Sequence, residues 1–125
     1  MKTFALTCRD KPGASALRRE TRPEHLAYLG EADVTVLLGG ALLDDADQPA
    51  GSLLIIEAED LAAAEQFAQN DPYTRAGLFD SVEIRPYRLA AGALLAEGPL
   101  HLEEEVGSRG SQHLAQRPRD LRRFL

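Results

Sequence analysis

Over residues 3–8 the apolar Phe4, Leu6 and Cys8 alternate with Thr3 and Thr7, a period of two that predicts a half-buried strand. The loop from Arg9 to Gly13 breaks it, and a helical pattern follows from about Ser15 to Leu29, with Leu17, Ala27, Tyr28 and Leu29 as candidate core contacts. Pro23 interrupts that pattern and must either kink the helix or start a new one, with Thr21 or Arg22 just outside. A second strand is predicted from Val34 to Leu38, ended by Gly39 and Gly40, and a third from Ser52 to Glu57. The acidic turn around Asp44, Asp45 and Asp47 joins them as a hairpin. Asp60 is a good N-cap for a helix from Leu61 to about Gln69, in which Leu61, Ala64, Phe67 and Ala68 share a face. Asp71 and Pro72 open a short turn or helix. Ser81 to Arg88 reads as the last strand, with Val82 and Ile84 opposite in direction to Glu83 and Arg85.

The order β-α-β-β-α-β predicts an α+β fold of the ferredoxin-like kind, both helices covering one face of an antiparallel sheet. The other face is left open. Leu53, Leu54, Ile55 and Ile56 cannot all point toward the helices, so that face also carries apolar side chains and predicts a homodimer formed through it. After Arg88 the pattern changes. Residues 1–88 read as one domain. Residues 89–125 read as a C-terminal extension of little periodicity, partly disordered or packed on the dimer mate.

At 125 residues the chain is long enough for a modest core without staples. The net charge of -6 is carried by the first 88 residues, where 9 Lys and Arg face 15 Asp and Glu. That acidic excess repels phosphate backbones and argues against nucleic acid as a partner. Cys8 is the only cysteine, which rules out an intrachain disulfide or a thiolate metal cluster, and its place in the strand reads as a small core residue. No apolar run approaches the roughly 20 residues needed to span a bilayer. The start of the chain lacks the apolar stretch of a signal peptide, so a cytoplasmic location without a membrane partner is expected.

The candidate chemistry lies at Asp71-Pro72-Tyr73 together with His25. An imidazole can take and return a proton at neutral pH, and a carboxylate beside it can fix its tautomer or act as the base itself. The same Asp-Pro pair is also a standard N-cap and first turn, and a capping carboxylate can still present an oxygen to a pocket. Arg22, three residues before His25, suits a substrate carboxylate or enolate, or else a surface ion pair. Tyr73 either offers its hydroxyl to a ligand or packs as an amphipathic lid. Ser52, beside Gly51 at a strand start, is placed to face the pocket but lacks the strand-turn-helix elbow of a nucleophilic serine. Gly39 and Gly40 lack the Lys and Ser/Thr of a phosphate loop, and His25, His101 and His113 have no metal-ligand spacing. No cofactor or metal is called for.

Five blocks taken together resemble the YCII family (YciI-like proteins). They are Arg22-Pro-Glu-His25-Leu-Ala-Tyr-Leu29, Gly39-Gly-Ala-Leu-Leu43, Gly51-Ser-Leu-Leu-Ile-Ile56, Asp71-Pro-Tyr73, and Gly77-Leu-Phe with Val82-Glu-Ile-Arg-Pro86. The resemblance covers about residues 1–88 and implies a ferredoxin-like dimeric α+β barrel. It puts the family's histidine on His25 and its aspartate on Asp71. It also implies thinly defined chemistry: members include a dehydrochlorinase of chlorinated hydroxyquinol degradation, and relatives by fold include muconolactone isomerase. His101 and His113 lie outside it. The expectation is a small cofactor-independent enzyme, a lyase or isomerase or one like the dehydrochlorinase, using a His-Asp acid/base pair on a small organic metabolite. Arg22, Ser52 and Tyr73 would be its substrate-binding residues. The alternative is a dimeric small-molecule-binding or accessory module without catalysis.

Overall fold

The structure is a computed structural model that describes residues 1–93. Most of the extension called at 89–125 therefore lies outside the described residues. Met1–Arg88 forms one compact unit. Its elements in order are strand β1 (Lys2–Asp10), helix α1 (Ser15–Glu31), strands β2 (Thr35–Leu43) and β3 (Pro49–Ala58), helices α2 (Leu61–Asn70) and α3 (Pro72–Arg75), and strand β4 (Phe79–Pro86). The sheet is antiparallel throughout, in the order β2-β3-β1-β4. This is the ferredoxin-like α+β arrangement.

Register explains where the core sits. Residues directly opposite in an antiparallel pair share a face. The pairs Phe4↔Ile56 and Leu6↔Leu54 put four apolar side chains toward the helices, and Ile84, paired with Leu6, joins them. Ala58, Ala64, Phe67 and Ala68 complete the cluster. One step further along the same face the pairing becomes Cys8↔Ser52, and the core turns polar. On the opposite face Ile55 of β3 lies between Ala5 of β1 and Leu38 of β2, and Leu53, two residues along the same strand, lies between Thr7 and Gly40, so the open side carries an apolar patch in its centre.

Three details depart from the pattern reading. Helix α1 runs unbroken through Pro23. That proline lies on the exposed side, where the carbonyl that loses its amide partner can meet water. Ala27, a candidate core contact, is likewise exposed, whereas Tyr28 and Leu29 pack against the core. Strand β2 does not stop at Gly39-Gly40 but continues to Leu43, pairing with β3 across both glycines. The side chain of Leu54 occupies the space that a Cβ on Gly39 would enter, so a larger residue there would have to displace it.

Candidate active site

The buried face of α1 is made of Arg18, Thr21 and His25, spaced to lie over one another on a helix. It covers the polar end of the sheet, where Cys8, Asp10 and Ser52 follow the apolar residues. Helix α3 closes the other side. Asp71 ends α2 and begins α3, and Pro72 occupies the first helical position, where its missing N–H costs nothing. The Asp71 side chain serves both possible roles at once. Oδ1 accepts from the Tyr73 backbone N–H at 2.9 Å as an N-cap, and it also lies 2.8 Å from His25 Nδ1, with Oδ2 at 3.1 Å. Both residues are buried, His25 to 6% exposure and Asp71 to 4%.

Beside a carboxylate in its ionised form, which only accepts hydrogen bonds, Nδ1 is the nitrogen that donates, and Nε2 is the one left to act as a base. The ring is held on a second side by Tyr73, stacked on it at 4.0 Å between centroids and 18° between planes, and Tyr73 in turn meets Phe79 edge-on. Tyr73 is 1% exposed. Burial raises its phenol above the ordinary value; the charges of Arg18 and Arg22 pull it down, and those of Asp71 and Asp10 push it up. The phenol stays neutral.

Arg18 completes the cluster. Its Nε and Nη2 donate to the two oxygens of Asp10 at 2.7 and 2.9 Å, and Nη2 also donates to Ser52 Oγ at 2.9 Å. Its guanidinium lies 4.7 Å from the Tyr73 ring centre. Burial works against its charge, but the hydrogen bond and field of Asp10 outweigh that and hold its pKa above the ordinary value. The Cys8 thiol is pushed up to about 12 by burial, then by the charges of Asp71 and Asp10, against the pull of Arg18, so it is not a thiolate nucleophile.

Of the residues expected at a site, the structure brings His25, Asp71, Tyr73 and Ser52 into one connected cluster. Arg22 is exposed and reaches that cluster only through the field it exerts on Tyr73. Arg18 and Asp10 were not picked out from the sequence. The signal was available for Arg18: at about 100° per residue, seven positions bring a side chain to within about 20° of His25 around the helix, whereas the three positions to Arg22 leave about 60°. Asp10, at the end of β1, had no comparable mark. Among the described residues no group of three or more His, Cys, Asp or Glu is placed to hold a metal ion.

The YCII-related domain matches residues 2–88, and the chain belongs to that family. It is 32% identical over 93 residues to protein YciI of Escherichia coli O6:H1, covering 68% of this chain and 95% of that one. An uncharacterized protein of Haemophilus influenzae is 31% identical with the same coverage. Among solved structures, the 5-chloro-2-hydroxyhydroquinone dehydrochlorinase TftG of Burkholderia phenoliruptrix AC1100, in complex with 2,5-dihydroxybenzoquinone, superposes with a TM-score of 0.65 at 32% identity. That match covers 70% of this chain and 95% of TftG. No helix among the described residues is long and apolar enough to cross a membrane.

Proposed function

We propose that this domain is a small cofactor-independent enzyme of the lyase or isomerase kind, in which His25 Nε2 removes a proton from a small organic metabolite. The observation that carries this reading is the buried bond from His25 Nδ1 to Asp71, which leaves Nε2 as the basic atom. Asp71 orients the ring and stabilises the imidazolium that forms. In an isomerisation the electron pair of the broken C–H bond is protonated elsewhere; in a dehydrochlorination of a hydroxylated ring the proton comes from a ring hydroxyl of the tautomer whose chlorine-bearing carbon is tetrahedral, and the freed electron pair, passed through the ring, expels chloride and leaves a quinone. Tyr73 packs against the imidazole and Ser52 borders the substrate, while Arg22, exposed on α1, acts on the site through its charge alone. The kinship with TftG favours the dehydrochlorination and a hydroxylated ring as substrate.

The open sheet face supports a homodimer, since Leu38, Leu53 and Ile55 would otherwise face water together with Ala5. We place the protein in the cytoplasm and take the domain to span residues 1–88, with the remainder as an extension. A second reading, a binding module without chemistry, draws on the near-complete burial of His25.

The test is turnover. Chloride release from 5-chloro-2-hydroxyhydroquinone is followed for the wild type, His25→Ala and Asp71→Asn. A loss on the order of 10²-fold or more in both variants, with folding intact, is expected of a general base and its orienting partner. Equal rates in all three proteins would remove the acid/base assignment, and binding of 2,5-dihydroxybenzoquinone without turnover of any ring substrate would favour the module.

A further inference from the structure

The proton-transfer site leaves unexplained a cavity of about 310 Å³ at the place where α1 and α2 both end. Glu31 and Asp33 line it from the end of α1 and the turn that follows, and Gln66, Phe67 and Asn70 line it from the last turns of α2. Tyr28 joins the two sides. Its hydroxyl donates to the Phe67 carbonyl at 2.8 Å, and its ring stacks on that of Phe67 at 5.3 Å between centroids.

The fixed charges around this cavity all have one sign. A helix C-terminus carries about half a negative elementary charge, and two such ends meet here. Neither helix has a basic residue in its last turn to offset it. Glu31 and Asp33 add two carboxylates, and no Lys, Arg or His is among the described residues of the lining. Burial, then the charges of Asp71 and Asp33, raise the Tyr28 phenol above its ordinary value, so the field of Asp33 reaches the aromatic wall. Helix C-termini are ordinarily matched by cations. Here the cation has to come from outside the lining.

The walls decide which cation fits. Calcium takes about six to eight converging oxygens, and among the described residues no group of three or more His, Cys, Asp or Glu is placed to hold a metal ion. An organic cation suits mixed walls better. Its ammonium can pair with carboxylates and donate to the side-chain carbonyls of Gln66 and Asn70, while its hydrocarbon lies on the aromatic pair, whose rings also attract positive charge. Ligand pockets run from about 300 to 1,000 Å³. A cavity at the lower end of that range takes a free amine of a few carbons, not a polypeptide segment.

We propose that this cavity binds a small aliphatic amine in its protonated form, Glu31 and Asp33 pairing with the ammonium while Tyr28 and Phe67 hold the alkyl chain. The site does not depend on the enzyme reading, because neither His25 nor Asp71 lines it. It lies close to both in the chain: Tyr28 follows His25 by three residues, and Asn70 directly precedes Asp71. A bound amine therefore ties together the ends of the two helices that carry the pair.

The probe is n-butylammonium, with n-butanol as its uncharged counterpart, titrated into the full chain at pH 7 and followed by ¹⁵N–¹H NMR. Saturable shifts are expected at the backbone amides of residues 31–34 and 66–70, half-complete at millimolar amine, and n-butanol should not produce them. The turn at Asp44, Asp45 and Asp47 is a control within the same molecule, with three carboxylates and no aromatic residue among them. Glu31→Gln combined with Asp33→Asn, both at exposed positions, should weaken binding at least about fivefold without lowering the melting temperature. The assignment is overturned by the absence of saturable shifts at these amides, by equal shifts with n-butanol, by equal affinity at the Asp44–Asp47 turn, or by unchanged affinity in the double variant.

Discussion

Asp71 carries two hydrogen-bonding duties, and substitutions can take them apart. Asparagine keeps a carbonyl oxygen for the Tyr73 N–H, and an Asp-to-Asn exchange at an N-cap is close to neutral. It loses the charge on the bond from His25 Nδ1, and a hydrogen bond to a charged group contributes about 1.5–3 kcal/mol. The burial of both partners argues for the upper half of that range. Alanine loses the cap as well, for about 1 kcal/mol more. In a domain of this size each kcal/mol moves the melting temperature by about 4–8 °C, so Asp71→Asn should lower it by on the order of 10 °C and Asp71→Ala by several degrees more. The assay is urea unfolding at pH 7 of a double-mutant cycle, Asp71→Asn, His25→Gln and the double variant, with matched m-values. A coupling energy of about 1 kcal/mol or more is expected. A value under about 0.5 kcal/mol, within the additivity of independent sites, would refute the view that the two side chains form one unit.

Three further outcomes follow from other parts of the fold. The Cys8 thiol, pushed up to about 12 in the folded chain by burial and by the Asp71 charge, stays protonated where the unfolded thiol has ionised. Its contribution to stability is therefore complete below about pH 8.5 and is lost as the pH rises toward the folded value. Cys8→Ala should show a shallower loss of stability between about pH 9 and 11 in denaturant titrations, and identical alkaline limbs would contradict this. Gly51→Ala would put a Cβ 2.5 Å from the Cys8 carbonyl oxygen, a backbone atom that cannot step aside, and should cost on the order of 1–3 kcal/mol in thermal or urea unfolding. Light scattering during size exclusion at micromolar protein should give a dimer for the wild type, and Ile55→Lys should give a monomer. A monomeric wild type would leave the open sheet face without its proposed partner.

Much of this was legible in the chain. The period-two stretch from Phe4 to Cys8, the Asp60 cap and the Asp71-Pro72 junction are local signals, and each appears in the structure where the pattern puts it. Ambiguity arose where local and tertiary demands diverge. Gly39 and Gly40 look like a strand end, yet β2 pairs with β3 through both, and Leu54 of β3 occupies the space a side chain on Gly39 would enter. Pro23 looks like a break, but its position on the outer side of α1 lets the helix continue. The buried side of α1 is polar, so a search for apolar faces passes over Arg18 and Thr21 and is drawn to Leu17 and Ala27. Arg18 becomes visible only when a site is sought on the helix face of His25, and Asp10 only when the end of β1 is seen against that helix.

The most direct measurement is the protonation pattern of the His25 ring by ¹⁵N–¹H NMR at neutral pH, in the wild type and in Asp71→Asn. A proton on Nδ1 is expected in the wild type, bonded to Asp71, with Nε2 unprotonated in the neutral ring. In the asparagine variant, whose amide can donate to Nδ1, this preference should be lost or reversed. A wild-type ring protonated on Nε2, or one whose pattern is unchanged by the substitution, would contradict the assignment of Nε2 as the base and of Asp71 as the group that makes it one.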